Sequence, residues 1–119
     1  MGRLLRAGIF TVALLLLGCN DGEERVLKYG NNNVKSIEHI DKNGKLTGEK
    51  KNYTYGGELE SIEHYKNGKK QGEQILFFTD GSKKINIKYW YENGKRTGTL
   101  FLDREGNPTK RLGYYKNHD

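Results

Sequence analysis

Residues Ser61 to Glu73 read SIEHYKNGKKQGE. The opening of this phrase occurs earlier as SIEHIDKNGK at Ser36–Lys45, and its tail returns as WYENGKRTG at Trp90–Gly98. Aligning the copies sets Asn43-Gly44, Asn67-Gly68 and Asn93-Gly94 in register, 24 and 26 residues apart. Each Asn-Gly is followed by Lys and, after two further residues, by Gly48, Gly72 or Gly98. A second set of turn signals lies between them, at Gly56-Gly57, Asp80-Gly81 and Glu105-Gly106-Asn107, with Gly30 to Asn33 as the half-unit before the first. Turns therefore recur every 11 to 14 residues. Asn-Gly tolerates φ > 0 at both positions, as a type I′ hairpin turn requires.

The stretches between turns are rich in β-formers: RVLKY, VKSIEHI, KNYTY, LESIEHY, QILFF, KINIKYWY, TLFL and RLGYY. None carries a helical period. The expected fold is all-β, with eight short strands in a single elongated, twisted antiparallel meander spanning roughly 35–40 Å. In KINIKYWY, Ile85, Ile87, Tyr89 and Tyr91 alternate with Asn86, Lys88 and Trp90, so the two sets are expected on opposite faces. QILFF is apolar on both faces, which predicts that the middle of the sheet is covered on both sides. The first copy carries one extra residue (HIDKNG against HYKNG), which predicts a longer turn or a bulge.

Composition fits a small repeat domain. The chain has 119 residues, only 34% of them hydrophobic, with 16 Gly and 1 Pro, and a mean hydropathy of −0.90. That is one domain with little material for a thick core. Eight Tyr, four Phe and one Trp supply much of the burial available. The formal charge is +6, but Arg3 and Arg6 belong to the N-terminal segment, which leaves 19 basic residues against 15 acidic. These alternate in sign and form no basic stripe, so nucleic acid is not an expected partner.

Met1 to Arg6 is short and positive, and Ala7 to Leu17 is an apolar run of 11 residues. That length suits an export signal and falls short of a membrane span. The residues Leu16-Leu17-Gly18-Cys19 resemble a bacterial lipobox, although Leu17 is a tolerated rather than a favoured residue there. The resemblance implies cleavage between Gly18 and Cys19, with acyl chains on Cys19 anchoring the chain to the membrane. Cys19 is the only cysteine, so no intramolecular disulfide competes for it. Asn20 follows where an aspartate would favour inner-membrane retention in Gram-negative lipoproteins, so the resemblance favours the outer membrane. The expected organisation is a removed signal at residues 1–18, a lipidated tether at 19–25 and a repeat domain at 26–119.

YKNGKKQGEQILFFTDGSK and YENGKRTGTLFLDREGN resemble MORN repeats, in particular a bacterial variant with a Tyr-x-Asn-Gly-Lys-x-x-Gly core. The similarity covers roughly residues 34–119. It departs at Ile40, which stands in the tyrosine position, and at His118, which replaces a glycine in the last unit. The resemblance implies an elongated hairpin sheet whose units bury their apolar faces against one another. It also implies an antitoxin-like or immunity-type role, in which a lipidated envelope protein occludes a toxin.

The sequence holds little that suggests catalysis. His39 and His64 stand at equivalent places beside Glu38 and Glu63, but two strands separate them and neighbouring residues face opposite sides of a strand. That spacing is too wide for one metal. Neither His118-Asp119 nor any Ser sits in a nucleophile-and-base pattern, and the Gly/Lys stretch at Gly48–Glu58 lacks P-loop spacing. No enzyme activity, metal or cofactor is expected. The aromatic set, centred on Tyr65, Tyr89, Trp90 and Tyr91, is the expected protein-binding surface. The alternative is an envelope scaffold that binds other proteins, cell-wall polymer or lipid headgroups.

Overall fold

The computed structural model describes residues 9–12 and 22–109. Gly18, Cys19, the RLGYY strand with Tyr114 and Tyr115, His118 and Asp119 lie outside the described residues. The described chain is all-β and forms one antiparallel sheet. Its strands are β1 (Ile9–Val12), β2 (Glu23–Lys28), β3 (Val34–Ile40), β4 (Gly48–Tyr53), β5 (Leu59–Lys66), β6 (Lys69–Lys70), β7 (Gly72–Phe77), β8 (Ile85–Glu92), β9 (Lys95–Leu102) and β10 (Pro108–Thr109). Each pairs with its neighbour in chain order, except that β6 and β7 both pair with β5. The meander is 50 Å in its longest direction. Two features were not anticipated. Ile9–Val12, inside the segment read as an export signal, pairs with β2. β2 begins at Glu23, so the sheet takes in residues assigned to the tether.

The turns explain the repeat. Asn67 and Gly68 have φ of 53° and 81°, and Asn93 and Gly94 have 56° and 89°, the paired positive values of a type I′ turn. In the first copy only Gly44 is positive, at 82°. The inserted residue makes a longer turn there, in which the Asp41 carboxylate accepts from the amides of Asn43 (2.8 Å) and Lys45 (2.9 Å). The Lys45 amide, with that of Asn43, holds the Asp41 carboxyl below the usual carboxylate range. At the opposite ends of the strands Thr54 and Asp103 play the same part, accepting from Glu58 and from Glu105 and Asn107.

Successive turns are also bonded to one another. The Gly68 amide donates to Leu46 O and the Gly94 amide to Lys70 O, both at 2.9 Å. The Lys45 stem lies over Gly68, and the Lys69 stem over Gly94. At the other end Asn33 Nδ2 donates to Tyr55 O (2.9 Å), the Gly81 amide to Glu58 (2.5 Å), and Arg104 Nε to Asp80 (2.7 Å). Each partner lies one repeat away. The 24-residue spacing is therefore the condition for stacking one turn on the next. Gly68→Ala should cost roughly 1–2 kcal/mol in urea unfolding, since a Cβ disfavours this backbone. Gly56→Ala, where φ is not positive, should be close to neutral.

Bulges recur with the same period. Register shifts fall between Leu27 and Lys28, between Asn52 and Tyr53, and between Leu76 and Phe77, with a fourth, off this period, between Trp90 and Tyr91. Each inserts one residue into the facing strand, namely Lys35, Glu60, Asn86 and Thr97, and increases the local bend and twist. The sheet is thereby coiled, with one face forming a trough.

Among the described residues no second layer covers it. Among the described residues no hydrophobic side chain is buried, and the buried polar ones are Ser36, Ser61 and Gln74. Against the expectation for QILFF, the described residues do not cover it on both sides. Leu76 lies in the trough row with Ser61 and Ile87, while Ile75 lies in the outer row with Ile62 and Lys88, and all but Ser61 are half-buried. Among the described residues both rows are shielded by their cross-strand neighbours.

Candidate partner-binding surface

The register assigns each candidate side chain to a face. Across the trough face run Arg25, Glu38, Lys50, Glu63, Gln74 and Tyr89, with Arg25 opposite Glu38, Lys50 opposite Glu63 and Gln74 opposite Tyr89. Their charges alternate: Arg25 lies 3.6 Å and Lys50 3.4 Å from Glu38, and Lys70 lies 3.8 Å from Glu63. Tyr65 and Tyr91 follow two residues along their strands and share this face. The trough is open and has a volume of about 590 Å³. Its floor is the amides and hydroxyl of Asn52, Ser61 and Gln74 together with Leu76, and its walls include Tyr29, Tyr53, Tyr65, Tyr89 and Tyr91.

The aromatic end is charged as well. Tyr89 and Tyr91 meet edge to face with centroids 6.4 Å apart. Lys70 Nζ sits 5.2 Å from the Tyr91 centroid, and the Arg96 guanidinium 5.1 Å from that of Tyr89. Both are within cation–π range. Arg96 Nε is buried and, among the described residues, has no hydrogen-bond partner. Tyr65 donates its hydroxyl to Glu63 at 3.0 Å.

Burial pushes the Tyr65 hydroxyl well above its ordinary 10.0, and the Glu63 and Glu38 carboxylates push the same way. The unfolded chain therefore loses this proton near pH 10 while the folded chain keeps it. Stability from this group is complete below about pH 10 and is lost as pH rises beyond it. Between pH 8 and pH 11 the urea midpoint of the wild type should fall further than that of Tyr65→Phe.

Gln74 is 1% exposed and is the most deeply buried side chain among the described residues. Direct register between β5 and β7 covers only Ser61↔Leu76 and Ile62↔Ile75. Beyond that the Gln71 amide donates to His64 O at 2.9 Å, and further bonds come from the side chain of Gln74. Its Oε1 accepts from the His64 amide at 2.9 Å, and its Nε2 donates to His64 O and Gly72 O at 3.2 Å each. In the preceding repeat Lys50 holds this place and points at Glu38.

The outer face carries a different ladder. His39 Nε2 lies 3.5 Å from Glu24, and His64 Nε2 lies 3.8 Å from Glu49. Their Nδ1 atoms sit 3.0 Å from Glu49 O and 2.7 Å from Glu73 O. Each histidine thus faces a carboxylate on the neighbouring strand, and Glu38 and Glu63 lie on the opposite face. Among the described residues no three His, Cys, Asp or Glu side chains form a group able to hold a metal ion.

Of the four aromatics expected to bind a partner, the structure brings together Tyr65, Tyr89 and Tyr91. Trp90 is on the outer face, opposite Glu73 and Gly98, with its ring over Gly98. Sequence reasoning missed Gln74, Lys70 and Arg96, whose places depend on bulges and register. Compared with protein-family models, with curated proteins and with solved structures, the chain finds no match.

Proposed function

We propose that this chain is a lipid-anchored, non-enzymatic binding module of the bacterial envelope that presents its trough to a protein partner. The observation that carries the reading is the trough itself. Three tyrosines and two cations over their rings, Lys70 and Arg96, surround a largely polar floor on a face that the described residues leave open. Tyr and Arg at the centre of a contact contribute most where water is excluded.

The lipobox-like Leu16 to Cys19 supports the anchor, and the Tyr-x-Asn-Gly-Lys-x-x-Gly phrase supports kinship with bacterial MORN-type antitoxin or immunity proteins. The mechanism under this reading is occlusion, with the trough seated over a protruding segment of a toxin. A scaffold role is favoured by one observation: a hydroxyl and amide floor between tyrosine walls also suits a cell-wall glycan. Affinity capture from detergent-solubilised envelope and secreted protein separates the two. One dominant, salt-resistant protein partner supports occlusion. Capture of glycan fragments, or of several weak salt-sensitive proteins, supports the scaffold and overturns occlusion.

A further inference from the structure

The outer edge of β2 accepts a strand. Glu24, Arg25, Val26 and Leu27 pair along it with Val12, Thr11, Phe10 and Ile9. Under the lipoprotein reading, on which this inference rests, residues 1–18 are removed and that edge is vacated. At the other end of the described sheet β10 is two residues long and begins with Pro108, which lacks a donor. The two ends are therefore unequal, and β2 presents the longer pairing surface, Glu23–Lys28.

We propose that the processed chain forms a two-fold dimer by antiparallel pairing of β2 with β2 of a second copy, centred on Val26. The charges select this register. Centring on Val26 sets Glu24 opposite Lys28 of the second copy, twice by symmetry, with Val26 against Val26 on the same face and Arg25 against Leu27 on the other. Centring on Arg25 opposes two arginines, and centring on Glu24 opposes two glutamates. Opposite charges directly across an antiparallel pair are favourable and like charges are not, and an isologous interface requires this self-complementarity. The second copy's Val26 takes the place that Phe10 holds in the unprocessed chain. The two anchors fall on opposite sides of the junction, at most ~45 Å apart along the strands. Both reach one bilayer when the joined sheet lies along it.

A symmetric disulfide tests the pairing in the full chain, expressed in bacteria with membranes collected under a thiol-blocking reagent. Residues directly opposite in an antiparallel pair have Cα atoms about 4.5–5.5 Å apart, within disulfide range. Val26→Cys should run mainly as a covalent dimer on a non-reducing gel. Glu24→Cys and Lys28→Cys should each stay monomeric alone and cross-link when co-expressed, which covers the case in which Val26→Cys fails to fold. Val26→Cys combined with Cys19→Ser, which blocks processing and keeps Ile9–Val12 on the edge, should stay monomeric. Intact mass separates the two ways of failing. A chain that has lost residues 1–18 yet gives no cross-link in either format overturns the dimer alone. A chain that keeps residues 1–18 overturns the lipoprotein reading and the dimer with it.

Discussion

Gln74→Ala should destabilise the domain by about 1–3 kcal/mol, because it leaves the part-buried His64 amide without a partner. The His64 carbonyl keeps the Gln71 amide as a donor, but the His64 amide has the Gln74 side chain as its acceptor, and little water reaches a group that is 1% exposed. For a domain of this size the loss corresponds to a fall in Tm of roughly 5–20 °C, which circular dichroism would follow. Gln74→Leu separates the two explanations of the effect. It fills a similar volume with apolar atoms, so a role in packing alone predicts near-neutral behaviour. If the amide is the point, Leu should cost nearly as much as Ala. Disruption would centre on β5 and β7, since these strands depend on the amide where direct pairing stops.

The second large effect concerns the trough. Tyr89→Ala should weaken partner binding by about 30-fold, near 2 kcal/mol, while Trp90→Ala should change it by less than about 3-fold. Tyr89 stacks on Arg96 and Tyr91, so truncation removes one ring and releases two neighbours from their positions. Trp90 is adjacent in sequence but on the other face. Titration of the captured partner against each variant, by calorimetry or surface plasmon resonance, reads the contrast directly. Equal losses at both positions would mean that the sheet clamps its partner from both sides.

Much of this architecture was legible. Asn-Gly pairs at repeat spacing fixed the hairpin turns, because few residue pairs adopt two consecutive positive φ values. The alternation in Tyr89-Trp90-Tyr91 separated the faces for the same elementary reason that strands alternate. The extra residue before Asn43 announced a different turn, and Asp41 shows why it works: its carboxylate closes the longer loop. What remained hidden depended on register. The His39–Glu24 and His64–Glu49 pairs arise only once the recurring glutamate column of β2 and β4 is set opposite the SIEH strands.

Gln74 looked like the polar start of an apolar strand. Its burial follows from the break between β6 and β7, where Gly72 takes a φ of 87° and direct pairing lapses. The expectation of a doubly covered centre failed for a different reason. Apolar residues on both sides of a strand imply a demand for cover, but the described residues contain no second layer to meet it. The sheet instead shields Ile62, Ile75 and Leu76 with cross-strand neighbours. The pairing of Ile9–Val12 with β2 had no local signal, since an apolar run serves an export signal and an edge strand equally well.

The central claim is that the trough, not the outer face, meets the partner. The most direct test replaces Tyr89 or Trp90, one at a time, with a photo-cross-linking amino acid in the full chain in living cells. The side chains are neighbours in sequence and point to opposite sides of one sheet. Position 89 should yield a single discrete adduct with a protein partner, and position 90 should yield none or a diffuse background. The same adduct from position 90, with none from position 89, would contradict the account and move the binding surface to the outer face.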